Sequence, residues 1–148
     1  MRLLIQRVSH AKVTVGDATS GEISNGLVLF VGVGKGDTPD TCSEMASKVF
    51  RMRIFEDSNA KKNLDLSQVS GSVLIVSQFT LYADTRKGNR PNFTGAAPPE
   101  EAKKLYELFV DEMKKLLGEN RVAEGVFGAM MDVQLINTGP VTIWVESC

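Results

Sequence analysis

The sequence predicts an α/β fold of the α+β kind: one domain of mixed, largely antiparallel β-sheet with two main helices on one side. Three observations predict it. Short β-branched segments that alternate apolar with polar residues, or run apolar throughout, recur along the chain; only two segments keep helical spacing; and 148 residues that are 43% hydrophobic and 24% charged suit one globular core.

Arg2 to Val8 and His10 to Val15 alternate, with Ala11, Val13 and Val15 on one face and Lys12 and Thr14 on the other, which predicts the first two strands of an antiparallel ribbon. Asn25-Gly26 is a turn signal, and the apolar run Leu27 to Val31 behind it suits a strand covered on both faces. Asp37-Thr38-Pro39 supplies cap oxygens and a first-turn proline. Cys42, Met45, Ala46, Val49 and Phe50 then follow helical spacing, so a helix is expected from about Pro39 to Met52. Glu56 to Gly71 is polar and turn-rich, a loop or short hairpin. Val73 to Val76 opens a central buried strand that the pattern carries on through Ser77-Gln78-Phe79-Thr80-Leu81. Asp84 to Pro99 has no apolar period and reads as a long surface loop. A second helix starts at Pro99, buries Ala102, Leu105, Phe109, Met113 and Leu116, and stops at Gly118. Met131, Val133 and Leu135, then Val141, Ile143 and Val145, flank Asn137-Thr138-Gly139-Pro140, giving two last strands or one strand interrupted at the proline.

Seventeen Lys and Arg against eighteen Asp and Glu leave a net charge of −1, which excludes a whole-molecule positive field; any nucleic-acid contact must be a local patch. The apolar run from Leu27 to Val33 falls far short of the roughly 20 residues of a membrane span, and Met1 to Val8 lacks a signal-peptide pattern, so a cytoplasmic chain with no membrane partner is expected. Cys42 and Cys148 fit neither a disulfide framework nor a C-x-x-C motif and are expected as free thiols, the first packed and the second terminal. A single histidine, His10, without a G-x-S-x-G turn argues against a Ser-His-Asp triad, and no metal or cofactor motif is present.

Four segments carry polar groups that chemistry can use. Gly32-Val33-Gly34-Lys35-Gly36 precedes a helix but has the spacing of neither a Walker A loop nor G-x-G-x-x-G, and reads as a flexible turn. Arg86, Lys87 and Arg90, with Phe93 beside them, form the best local polyanion patch, although a solvated charge run has the same appearance. Ser77, Gln78 and Thr80 place hydroxyls and an amide at a strand end, with no base in the sequence nearby to activate either hydroxyl. Gly139-Pro140 is a plain turn or bulge, or one of the X-Pro bonds where a cis peptide is affordable.

Taken together, Ser77 to Leu81, Thr85 to Pro91, Phe127-Gly128-Ala129-Met130-Met131 and Asn137 to Thr142 resemble the D-aminoacyl-tRNA deacylase family, in order and spacing, over almost the whole chain from Leu4-Ile5-Gln6-Arg7-Val8 onward. The resemblance implies a homodimeric, cofactor-free hydrolase that cleaves the ester between a D-amino acid, or glycine, and the terminal ribose of tRNA. It implies a cis Gly139-Pro140 peptide that enters the partner's pocket and excludes L side chains, with Arg7 bracing it and Asn137 on the substrate side. Backbone N–H groups at Phe79 and Thr80 would stabilise the oxyanion, helped by the ribose 2′-hydroxyl. Ser77 and Gln78 would position the substrate, Phe127 and Met131 would hold the terminal adenine, and Arg86, Lys87 and Arg90 would meet the tRNA backbone. Two rivals are a non-catalytic tRNA- or RNA-binding homodimer, and an interaction protein that dimerises through its sheet edges.

Overall fold

In the computed structural model, which describes residues 1–148, the chain runs β1 (Arg2–Val15), β2 (Ala18–Ile23), β3 (Gly26–Gly32), α1 (Pro39–Phe50), β4 (Phe55–Glu56), β5 (Lys62–Leu64), β6 (Ser72–Ser77), α2 (Pro99–Leu117), β7 (Val122–Glu124) and β8 (Asp132–Glu146). The first two expected strands are one. β8 lies antiparallel along β1 from Arg2↔Glu146 to Thr14↔Asp132, and this continuous ladder carries β1 past Ser9. Register irregularities between Gln6 and Val8 and between Val8 and His10 switch the buried side: Leu3 and Ile5 face one core, and Val8, Ala11 and Val13 face another. The other edge of β1 is shared, its first half pairing β3 and its second half β2, both antiparallel.

Beyond β3 the sheet turns parallel, β3 to β6 and β6 to β7, because the connections between these strands carry α1 and α2. Strand order is β2-β1-β3-β6-β7 with β8 on β1. The sheet curls until β2 reaches β7: Ser20 Oγ donates to the Glu124 carbonyl at 3.0 Å, and a Cβ on Gly21 would sit 2.8 Å from that oxygen. Val8, Val13, Val28, Leu74 and Val76 fill the inside of the curl, while both helices cover the opposite face, as expected.

α1 has the expected cap. Thr38 Oγ1 accepts from Thr41 N at 3.3 Å, and Thr41 Oγ1 answers the Thr38 N–H. It ends at Phe50, two residues before the expected Met52, where Arg51 takes the cap position. In α2 the buried stripe is Ala102, Leu105, Tyr106, Phe109, Val110, Met113 and Leu117; Leu116, expected inside, is 38% exposed. A helix lying on another helix and a sheet buries a stripe wider than one residue per turn, and the extra positions displace Leu116 to its edge. Glu56 to Gly71 contains the short hairpin β4–β5, and the last two segments form one strand that passes through Gly139-Pro140.

β6 ends at Ser77, not Leu81. Gln78 N still donates to Val31 O at 2.7 Å, but β3 stops at Gly32, and a strand without a ladder partner loses its reason to stay extended. Phe79–Tyr82 instead forms a 3₁₀ turn. The glycines before α1 make room for it: a Cβ on Gly34 would overlap the Tyr82 phenol, and one on Gly32 would lie 3.1 Å from Gln78 O and 3.2 Å from Leu81 Cβ. The Gly32–Gly36 run is thus a seat for this turn.

Cys42 is fully buried, its Sγ 3.3 Å from Leu105 O, and burial with the nearby Asp37 carboxylate pushes its thiol up to about 11; Cys148 is exposed. Since the thiolate is the reacting form, iodoacetamide at pH 8 is expected to label one thiol per native chain and two after denaturation. Mass spectrometry reads the count, and rapid labelling of native Cys42 would contradict the packing. No helix is long and apolar enough to cross a membrane.

Candidate active site

The 3₁₀ turn places two backbone donors at the end of β6. Leu81 N donates to Gln78 O at 3.2 Å and Ala83 N to Thr80 O at 3.0 Å, whereas the N–H groups of Phe79 and Thr80, the first two of the turn, meet no acceptor in the chain. Both residues are exposed, with the Phe79 ring edge-on to Phe93 at 5.0 Å. Ser77 and Gln78 are half-buried beside them, and the Gln78 amide donates to Thr80 Oγ1, whose hydroxyl has no imidazole or carboxylate partner. Activation of Thr80 as a nucleophile therefore finds no base here, while a carbonyl oxygen brought to the turn would find two donors.

The second segment interrupts β8. The Gly139-Pro140 peptide is cis, and Gly139 has φ +126, a conformation that disfavours any Cβ. Asn137 straddles the interruption, its Oδ1 accepting from Val141 N at 2.9 Å and its Nδ2 donating to Thr142 Oγ1 at 2.8 Å. Arg7, the buried charged side chain of the core, backs the segment: Nε donates to Thr138 O at 3.0 Å, Nη1 to Ile54 O at 2.7 Å, and Nη2 lies 3.7 Å from Glu56 Oε1. Burying a guanidinium is costly unless it is paired, and here two backbone carbonyls accept from it while the Glu56 carboxylate stands close enough to offset its charge.

One chain does not bring the two segments together. Gln78 lies level with Arg2 of β1 and Gly139 with Arg7, which at about 3.3 Å per residue is about 17 Å along the strand, and β1 and β3 stand between β8 and β6 in the sheet.

Phe127 leans on Tyr106 at 5.6 Å, and the Tyr106 hydroxyl in turn donates to Ile75 O at 3.1 Å, two residues before Ser77, so Phe127 stands beside the turn-bearing end of β6. Met131 is half-buried against the inner core, while Met130, not singled out from the sequence, is 90% exposed. In the basic loop, Arg86 is tied to Asp84 through Nε at 2.9 Å and Nη2 at 2.7 Å, and this pairing holds the Asp84 carboxyl well below the usual carboxylate range. Lys87 and Arg90 are exposed and form no ion pair. Two open clefts lie nearby, one of about 290 Å³ beside Arg7, Asn25, Glu56 and Thr138, the other of about 450 Å³ between Arg2, Tyr82, Thr85, Arg86 and Thr94. Sequence reasoning passed over Arg2, Glu56 and Tyr82, which no motif marks.

Comparison with known proteins gives the family and the fold. The family model described as D-Tyr-tRNA(Tyr) deacylase matches residues 4–146. The D-aminoacyl-tRNA deacylase of Thermotoga petrophila is 53% identical over 149 residues, covering 99% of this chain and 97% of its own. That of Akkermansia muciniphila is 54% identical over 147 residues, with 99% and 97% covered. Among solved structures, the c-Myc DNA unwinding element binding protein superposes with a TM-score of 0.95 at 36% identity, covering 100% of this chain and 99% of its own. A probable eukaryotic D-amino acid tRNA deacylase reaches a TM-score of 0.84 at 17% identity over 97% of both chains, a likeness of fold alone. With a model matched from β1 to the end of β8 and relatives more than half identical over 97% of their lengths, the chain belongs to the D-aminoacyl-tRNA deacylase family of hydrolases.

Proposed function

We propose that the chain hydrolyses the ester between a D-amino acid, or glycine, and the 3′-terminal ribose of tRNA, at a site completed by a second copy of the chain. The observation that carries this reading is the pair of unpartnered N–H groups at Phe79 and Thr80. When water adds to the ester carbonyl, negative charge gathers on its oxygen, and two fixed donors stabilise that charge without having to reorganise. The ribose oxygen then leaves with a proton. An aminoacyl ester is already activated, so orientation and the neighbouring ribose 2′-hydroxyl replace a side-chain base. Ser77 and Gln78 position the substrate, Phe127 and Met131 hold the terminal adenine, and Asn137 keeps Gly139-Pro140 in place on the substrate side.

Chirality is set by exclusion: the carbonyls of Gly139 and Pro140 from the second copy fill the space that an L side chain needs, whereas a D side chain points away and glycine has none. Two observations favour a two-copy site. The segments are offset by about 17 Å along β1 in one chain by strand geometry. β8 pairs only β1, leaving a 15-residue edge that exposes Ile136 at 58% and Trp144 at 48%, an open edge of the kind that soluble proteins cover or blunt. Such an enzyme works where tRNA is charged, in the cytoplasm. The deciding experiment is hydrolysis of matched D- and L-aminoacyl-tRNA: fast release of the D-amino acid and glycine with the L form spared is expected. Equal rates would remove the exclusion mechanism, and binding without release would leave only an RNA-binding homodimer.

Of the basic loop, Lys87 and Arg90 are assigned to tRNA phosphates together with Arg86, whose charge Asp84 already offsets. Neutralising Lys87 and Arg90 together is expected to flatten the salt dependence of tRNA binding by about 0.7–0.9 in slope for each lost contact, and Arg86→Gln by less. An unchanged slope in the double variant would move the contact to another surface.

A further inference from the structure

Arg2 touches both the donor-bearing turn and the far end of β8. Its Nη1 donates to Leu81 O at 3.1 Å, its guanidinium lies over the Tyr82 ring at 4.3 Å and within 5.7 Å of the Trp144 ring, and its Nε donates to Glu146 Oε1 at 2.7 Å. Leu81 is the residue whose own N–H closes the turn onto Gln78 O, and Tyr82 is seated over Gly34, so Arg2 grips the two residues that close and seat the turn. The planar fork is suited to this: it donates in two directions while one face stays stacked on the phenol, which an ammonium cannot do.

We propose that Arg2 is a positioning residue for the deacylation site, holding the Phe79–Tyr82 turn at the angle that aims the Phe79 and Thr80 N–H groups at the ester oxygen. This rests on the oxyanion role given to those groups above. Arg2 touches no reacting atom. Its Nε and one Nη1 hydrogen are engaged by Glu146 and Leu81 O, and the roughly 450 Å³ cleft opens beside it. The turn is one 3₁₀ turn long and lacks a side-chain cap, so besides its seat on Gly32 and Gly34 the Arg2 contacts are what hold its Leu81–Tyr82 end.

The test uses Arg2→Ala, Arg2→Lys and Glu146→Gln in the full-length protein, with D-aminoacyl-tRNA hydrolysis followed to saturation. Arg2→Ala is expected to lower kcat by about tenfold or more with KM for charged tRNA unchanged, the signature of an interaction expressed only in the transition state. Arg2→Lys keeps the charge but not the fork and recovers only part of the loss, and Glu146→Gln gives a smaller loss of the same kind. A readout independent of activity is the ¹H–¹⁵N spectrum: besides the amides next to the substituted residue, the Phe79 and Thr80 signals shift in Arg2→Ala while those of β2, α1 and α2 stay in place. A rise in KM that high salt reproduces in the wild type would make Arg2 a phosphate ligand and overturn the proposal. So would an unchanged kcat, or full rescue by Arg2→Lys. A wild-type protein with no deacylase activity would fail the functional reading itself, and the amide shifts would still show whether Arg2 orients the turn.

Discussion

Phe79→Pro is expected to cut kcat for D-aminoacyl-tRNA by about 10²–10³, because it deletes one of the two oxyanion donors, and removal of a single such donor costs about that much in other hydrolases. A side-chain substitution cannot normally remove a backbone N–H, but proline can, and the position allows it. Phe79 opens the turn, where its N–H bonds to nothing in the chain, and Gln78 before it has φ −146 and ψ 77, outside the helical region that a following proline disfavours. The control is Phe79→Ala, which keeps the N–H and loses only the exposed ring against Phe93. Thr80→Ala likewise keeps its N–H and retains most activity. Single-turnover rates with preformed D-aminoacyl-tRNA separate the three. If Phe79→Ala were as damaged as Phe79→Pro, the ring and not the N–H would be the working part, and a trapped acyl-enzyme lost in Thr80→Ala would point to covalent catalysis.

The second large effect is expected from Gly139→Ala. An alanine would have to hold φ +126, at a stability cost of about 1–3 kcal/mol, and its Cβ would fall 2.6 Å from Arg7 Nη2 and 3.1 Å from Val141 Cγ2. The guanidinium must then move, and its bonds to Thr138 O and Ile54 O move with it. A displacement of about 1 Å in a substrate-positioning segment costs about 10²-fold in rate, so deacylation should suffer far more than folding. Thermal unfolding beside kcat/KM on D- and L-aminoacyl-tRNA tests this. A folded Gly139→Ala protein that works at the wild-type rate with unchanged discrimination would remove Gly139 from the site.

How much of this could be read from the sequence depends on how local the cause is. α2 follows from its own stripe, proline start and glycine stop, and the hairpin in Glu56 to Gly71 from its turn residues, because the physics of each is contained in a few consecutive positions. The pattern splits β1 into two strands because its buried face changes at Arg7–Val8, and strict alternation has no term for a bulge imposed by a partner strand about 130 residues away. The extension of β6 to Leu81 failed for a related reason: Phe79, Thr80 and Leu81 suit a strand, but β3 ends before them.

The site divides the same way. Ser77 to Thr80 stood out as polar groups at a strand end, and Gly139-Pro140 as a proline where a ladder should continue. That Gly32 and Gly34 exist to seat Tyr82, that Asp84 occupies Arg86, and that Met130 and not Met131 projects into solvent depend on contacts no spacing encodes. Arg2 is the extreme case. It is one polar residue in an alternating strand, and its four partners come from Leu81, Tyr82, Trp144 and Glu146.

β1 also acts as a ruler. Arg2 on this strand reaches the turn that carries Phe79 and Thr80, and Arg7 on the same strand holds Thr138 beside Gly139, so five residues of extended chain fix how far apart the two segments stand. Substitutions between them can change packing but not that length. An insertion or deletion of one residue there would shift one segment against the other by about 3.3 Å and turn every following side chain to the opposite face, sending Arg7 out of the core. The expected result is that a one-residue insertion or deletion between Leu3 and Gln6 abolishes deacylation where substitutions at the same positions do not.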